Sequence, residues 1–237
     1  MGYGYGYYYY DYTMILVVIG ALLCLFASMR VQFTYRRYAR TAAACGMTGA
    51  EVAKEILRRN GVYNVSVQRV SGELTDHYDP SKQVVNLSDS VYGSHSVAAL
   101  GVAAHECGHV MQHEQGYVPL QIRTALVPIA NFGSNAGIWI VMLSLILGLS
   151  QTFTTIGIVL FSAGVLFQIV TLPVEFNASR RALVMLEQYG ILGTDENRKA
   201  RAVLRAAALT YVAAAAASIL QLLRLVLLSR SRNSRED

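Results

Sequence analysis

The apolar residues of this chain are clumped into runs, and that clumping limits its fold more than any other feature. The stretch TFTTIGIVLFSAGVLFQIVTLP (152–173) contains no charged residue. A helix crossing the hydrocarbon core needs about 20 mostly apolar residues in a row, and this run meets that length. Two further runs, MILVVIGALLCLFASM (14–29) and IWIVMLSLILGLS (138–150), are shorter. The first gains an interfacial lead-in from Tyr12 and Thr13, and the second reaches spanning length once ALVPIANFGSNAG before it is included. A fourth run, AAALTYVAAAAASILQLL (206–223), is alanine-rich and weaker. With 54% hydrophobic and 15% charged residues segregated in this way, the chain reads as a membrane protein with three to four transmembrane helices.

The opening MGYGYGYYYYDYT carries no Lys or Arg, whereas the n-region of a cleaved signal is positive. Residues 14–29 are therefore read as a retained anchor, and 1–13 as a low-complexity tail whose tyrosines suit a headgroup belt. Cys24, Cys45 and Cys107 lack metal-ligand or disulfide spacing and read as reduced thiols. Arg30, Arg36, Arg37 and Arg40 follow the first run; Arg180, Arg181, Arg198, Lys199, Arg201 and Arg205 separate the third from the fourth. Basic residues beside spans concentrate on the cytoplasmic side. The pattern predicts an outside N-terminus, a cytoplasmic block from 30 to about 120, an outer hairpin tip near 150 and a second cytoplasmic block from 174 to about 206. The three arginines of the tail SRSRNSRED run against that pattern if 206–228 crosses.

Residues 30–117 read as a small mixed domain. In MTGAEVAKEILRRNGV, Thr48 and Glu51 form a capping box and Gly61 closes the helix. VYNVSVQRV (62–70) alternates as a half-buried strand does, and ELTDHYDPSKQVVNL (73–87) reads as two short strands around Asp79-Pro80-Ser81-Lys82. Together these predict a small antiparallel sheet, with QVVNL (83–87) as the edge strand that would receive an extended peptide. SHSVAALGVAAHECGHVMQHEQG (94–116) then reads as one helix.

That helix carries AAHECGHVMQH (103–113). Positions four apart share a helix face, so His105 and His109 can reach one ion, and neutral imidazole is a common zinc ligand. Glu106 is angled toward the ion's open position, the place of a carboxylate that takes a proton from the attacking water. Cys107 points to the other side, and Gly108 admits a close backbone or substrate. Taken alone, His-Glu-x-x-His also fits two histidines satisfied on a polar helix face. A third ligand could be His113, which stands a full turn beyond His109, or His95, which is nearly three turns upstream. His77, beside Asp76 and Asp79, is a further choice. Glu175, just past the third run in TLPVEFNASRRAL, is the best placed, because it falls on the same predicted side as the motif.

AALGVAAHECGHVMQH, preceded by ELTDHYDP and followed by PVEFNASRRAL and AAALTYVAAA, resembles the YugP-type neutral zinc metallopeptidases of bacterial membranes, collinearly from about residue 10 to 228. More distantly the chain is similar to HtpX-type and CAAX prenyl proteases. The resemblance implies a gluzincin-like zinc peptidase domain within an α+β, mainly α-helical membrane protein. His105, His109 and Glu175 would be the Zn2+ ligands and Glu106 the general base. The distant relatives carry an aspartate four residues after the third ligand, which orients the first histidine; here Ser179 stands there, with Asn177 nearby but facing differently. The implied map is a Tyr/Gly-rich tail (1–13), a span (14–29), the peptidase domain (30–120), spans at 121–150 and 152–173, a cytoplasmic helical segment with the third ligand (174–205), a span (206–228) and a basic tail (229–237).

The reading is a membrane-embedded zinc metalloendopeptidase of the bacterial cell membrane, its active site facing the cytoplasm. Its expected partners are a peptide or membrane-protein substrate and the bilayer, with no nucleic acid. His77, Tyr78 and Arg181 are candidates for a second donor to the oxyanion. Two other readings compete. An intramembrane site-2-type protease would need a Leu-Asp-Gly segment, which this sequence lacks. A non-catalytic zinc-binding membrane adaptor would need no base at Glu106.

Overall fold

The computed structural model describes residues 11–236, so the Tyr/Gly-rich opening up to Tyr10 lies outside the described residues. Among them the order is α1 (Met14–Tyr38), α2 (Gly49–Arg59), β1 (Ser66–Val70), β2 (His77–Asp79), β3 (Val84–Ser88), α3 (Asp89–Tyr92), α4 (Val97–Glu114), α5 (Val118–Ile146), α6 (Gln151–Gln188) and α7 (Thr194–Glu236). Four of the described helices, α1, α5, α6 and α7, are long and apolar enough to cross a membrane. They pack as a bundle, and α2, the sheet, α3 and α4 gather at one end of it. Along α1 the outward residues are apolar, among them Ile15, Val18, Leu22 and Phe26. A helix apolar on its outer face has lipid, not water, as its solvent.

The ends of the bundle follow from its contacts. Asp11, just before α1, pairs with Arg224 of α7 at 2.8 Å. Gln151, at the α5–α6 turn, donates to Ser229 of α7 at 2.6 Å. The start of α1, the α5–α6 turn and the late part of α7 therefore share one end, and the small mixed domain sits at the other. The α5–α6 hairpin closes tightly because small residues let backbones touch: a Cβ on Gly133 would stand 2.4 Å from the Leu160 carbonyl oxygen.

Pro173 ends the third apolar run but does not end the helix. α6 continues unbroken from Gln151 to Gln188, with Pro173 inside it. Long bundle helices tolerate an internal proline where neighbouring helices hold the chain in place. At 38 residues and about 1.5 Å per residue, α6 greatly exceeds the roughly 30 Å hydrocarbon thickness. Its surplus projects into the small domain and carries Glu175 there.

Local signals formed the small domain largely as expected. The capping box is present, with Thr48 Oγ1 accepting from the Glu51 N–H and the Glu51 carboxylate accepting from the Thr48 N–H at 2.7 Å. Ser96 caps α4 by accepting from the Ala99 N–H. Asp79 Oδ1 accepts from the Ser81 and Lys82 N–H groups, which closes the β2–β3 turn. The sheet, however, is mixed rather than antiparallel. Its order is β1-β3-β2, with β3 parallel to β1 and antiparallel to β2. The chain reverses twice between β1 and β3, so those two strands run the same way. QVVNL is accordingly the central strand, not the edge. Val84, Val85, Leu87 and Ser88 are all buried, the pattern of a strand covered on both faces. The edge beside the later helices is β2.

α4 runs through the middle of this domain. Val97, Ala98, Leu100, Ala103, Ala104, Cys107 and Val110 are fully buried, against Val52, Ile56 and Leu87 from α2 and β3 and Leu186 from α6. The motif helix is thus a core helix, which fixes the direction in which its histidines point.

Candidate active site

His105 and His109 stack one turn apart on α4, with ring centroids 4.8 Å apart and planes near perpendicular. α6 passes directly across them. A Cβ on Gly108 would stand 2.5 Å from the Ala178 carbonyl oxygen, so α4 and α6 meet backbone to backbone there. This crossing places Glu175 Oε2 3.3 Å from His105 Nε2 and 3.5 Å from His109 Nε2. The three ligand atoms lie within 4.8 Å of one another.

Hydrogen bonds behind the rings set what those nitrogens can do. The Gln112 amide nitrogen donates to the Val174 carbonyl at 2.8 Å and to Asn177 Oδ1 at 3.0 Å. Its oxygen therefore faces His109 Nδ1, 3.0 Å away, and accepts a hydrogen bond from the Nδ1–H. That fixes the tautomer and leaves the Nε2 lone pair aimed at Glu175. His105 Nδ1 is 3.1 Å from Ser179 Oγ, a hydroxyl that can accept in the same way. The position where distant relatives carry an aspartate thus still contacts the first histidine, through a shorter neutral group. Asn177 faces Gln112 and Arg181 instead.

The donor set fits a zinc ion. Two imidazole lone pairs and a carboxylate oxygen repel one another unless a cation lies between them. Glu175 Oε2 is buried and, among the described residues, has no hydrogen-bond partner. Two nitrogens and one oxygen form the set that zinc takes at sites keeping a fourth position open. Arg123 Nη1 stands 3.8 Å from the other carboxylate oxygen of Glu175.

Glu106 is buried beside this group, and burial pushes its carboxyl above the ordinary carboxylate range while the two histidines pull the other way. Two cavities meet here, one of about 200 Å³ and one of about 420 Å³. Both are lined by Asp76, His105, Glu106, Glu175 and Tyr211. The larger runs between β2 and the start of α5, past His77, Tyr78 and Arg123.

The remaining candidates separate clearly. His95 bonds the Gly46 carbonyl at 2.8 Å. His77 is held by the Thr75 carbonyl and Asn86. His113 meets the edge of Tyr78, with centroids 6.0 Å apart, outside the three-ligand group. Arg181 is turned away, bonded to Asn177 and Gln115. Tyr78 keeps a buried hydroxyl with no partner among the described residues, in the wall of the larger cavity. Cys107 is buried, its thiol 3.6 Å from the Ala53 carbonyl on the side away from the histidines. Burial pushes that thiol's pKa up. Gln112, Arg123 and Tyr211 were not singled out from sequence. Gln112 alone had a local signal, because it lies three residues after His109 on the same face.

The fold and the pocket define a helical membrane protein in which His105, His109 and Glu175 form a group that could hold a metal ion. Residues 13–230 match the family described as "Putative neutral zinc metallopeptidase", and the chain belongs to that family, whose metal is zinc. It is 45% identical over 215 residues to the Bacillus subtilis (strain 168) protein "Putative membrane protease YugP", covering 90% of this chain and 95% of that protein. No solved structure matches it. With four apolar helices of spanning length among the described residues, the chain is an integral membrane protein.

Proposed function

We propose that this chain is a gluzincin-type endopeptidase in which His105, His109 and Glu175 hold zinc and Glu106 is the general base. The observation that carries this reading is the convergence of three lone-pair atoms within 4.8 Å, with a buried carboxylate one residue from the first of them. Zinc, when bound, supplies a Lewis acid that polarises a carbonyl and acidifies water. Glu106 takes the proton of the attacking water and returns it to the departing amine. Ser179 and Gln112 hold the imidazoles in the ligating orientation. The unpartnered Tyr78 hydroxyl, in the wall of the larger cavity, is available to a substrate carbonyl. The segment boundaries read from the sequence belong to the same proposal.

α4 is not among the four described helices apolar enough to span, which disfavours a motif buried in the bilayer. The adaptor reading leaves the buried Glu106 without a purpose. The deciding experiment is hydrolysis of an unfolded casein-like protein by the purified enzyme, with and without a chelator, beside the zinc content of Glu175→Ala. Chelation should stop cleavage and added zinc restore it, and the variant should lose most of its metal. A full zinc equivalent at parental affinity in Glu175→Ala would remove the third ligand from this scheme.

The substrate pairs with β2, the one of the two edge strands that lines the larger cavity. Backbone hydrogen bonds to an edge give affinity with little sequence demand. Peptides N-methylated at successive positions around the scissile bond should show alternate positions where cleavage collapses. A series cut uniformly as fast as its parent would exclude strand pairing.

The small domain faces the cytoplasm on this reading, supported by the arginines at 30–40 and 180–205. In intact cells a cysteine replacing Ser81, in the exposed β2–β3 turn, should resist an impermeant thiol reagent until the cells are opened. Immediate labelling would invert the topology.

A further inference from the structure

Several arginines that catalysis does not use converge on one groove. It lies between the late part of α1 and the early part of α7, has a volume of 1120 Å³, and is lined by Arg30, Arg37, Arg198, Arg201 and Arg205. Arg198 pairs with Asp195. The other four have no carboxylate within 4.0 Å among the described residues. Like charges gathered without counter-charges repel, and they come here from segments about 170 residues apart in the chain. The charge is therefore a property of the folded groove rather than of one basic run.

The groove is also graded along its length. α1 and α7 run antiparallel, with Gly20 against Ala217 and Asp11 against Arg224. Phe26 and Leu209 consequently line the end toward the apolar run, and Arg37 and Arg198 the far end. Arg30, Arg201 and Arg205 lie between. Arg30 is the first charge after the run 14–29, so the cationic band sits at headgroup height. Guanidinium groups match phosphate geometry in a planar, bidentate way. Basic pockets between membrane helices suit anionic lipid headgroups.

We propose that this groove binds the headgroup of an anionic phospholipid. Arg30, Arg201 and Arg205 hold its phosphate, and its acyl chains run past Phe26 and Leu209 into the bilayer. The site touches the catalytic region mechanically. The α7 turns that present Arg201 and Arg205 to the groove present Leu204, Ala208 and Tyr211 to the smaller active-site cavity. A bound lipid braces the helix that walls that cavity.

The test uses the full-length protein in a neutral detergent and titrates phosphatidylglycerol, phosphatidylcholine and inorganic phosphate. It reads the thermal midpoint and the lipid retained in native mass spectrometry. Phosphatidylglycerol should bind saturably and raise the midpoint, with the effect shrinking as salt rises from about 0.05 to about 0.5 M. Phosphatidylcholine and inorganic phosphate at matched concentrations should do neither. Arg30→Gln/Arg201→Gln/Arg205→Gln should weaken phosphatidylglycerol binding on the order of 100-fold. Lys54→Gln/Arg69→Gln/Lys82→Gln, which removes the same charge from the small domain, should bind it as the parent does. Parental affinity in the groove variant overturns the proposal. Equal binding of phosphatidylcholine, which would mean an apolar groove only, also overturns it. So does displacement of the lipid by matched inorganic phosphate, which would mean a free-anion site. If the triple variant does not fold, Arg30→Gln and Arg201→Gln singly are held to the same criteria.

Discussion

Glu106→Gln is expected to lower peptide hydrolysis by roughly 10²–10⁴-fold, the usual contribution of a positioned general base, while zinc stays bound at the parental level. The motif places two separable roles side by side, metal binding and proton transfer. Glu106 is buried at 7% exposure, but its carboxylate is not one of the three atoms that converge between His105, His109 and Glu175. Glutamine keeps the shape and polarity of that side chain but cannot accept a proton from water at neutral pH. The protein should also fold at least as well as the parent, because burial already disfavours the charged form of Glu106 and the amide carries no charge to desolvate. Three measurements check this: turnover on an unfolded protein substrate, zinc by elemental analysis, and the thermal midpoint. Turnover near the parental rate would remove Glu106 from the mechanism. Loss of zinc together with activity would make it a ligand instead, and the assignment of Glu175 would need to be revisited.

The parts of this architecture that depend on local chemistry were legible in the sequence. The capping box at Thr48 and Glu51, the turn at Asp79 and the histidine spacing on α4 each lie within a few residues and a single period. Glu175 was reachable because charge bias put it on the same side as the motif, a coarse but long-range signal. What was not legible depends on how distant elements meet. The sheet was expected to be antiparallel because VYNVSVQRV and the hairpin are neighbours in sequence, and periodicity says nothing about the direction in which β1 joins. The burial of Val84, Val85 and Leu87 did have a trace in QVVNL, whose paired valines fit a central strand better than an edge. Pro173 ends an apolar run without ending its helix, since a proline rule drawn from isolated helices gives way to packing in a bundle. Arg123 and Tyr211 reach the pocket from α5 and α7; AAALTYVAAA, which holds Tyr211, entered only through the family resemblance, and no periodicity or spacing marks that meeting.

Gly108→Ala is expected to weaken zinc binding by about 10–100-fold, the range seen when the support of a ligand is disturbed, although alanine is the better helix former. At most helix positions the exchange would stabilise by up to about 1 kcal/mol. Here the new methyl would stand 2.5 Å from the Ala178 carbonyl oxygen and 3.1 Å from two further backbone atoms of that residue. A side chain could rotate aside, but helix backbone cannot, so α6 has to move off α4. Overpacking of this kind costs about 1–3 kcal/mol, and the displacement falls on the segment that carries both Glu175 and Ser179. The loss should therefore exceed what the thermal midpoint alone suggests: activity should fall steeply at limiting zinc and recover in part when zinc is raised. Gly101→Ala on the same helix is the control. Its new methyl would meet mainly the Ala200 side chain, at 3.3 Å, two turns from His109 and against α7 rather than α6. That variant should keep parental zinc affinity. If Gly108→Ala binds zinc as tightly as Gly101→Ala does, the close crossing of α4 and α6 is not what holds Glu175 in place, and the geometry at Glu175 must be set from the α7 side.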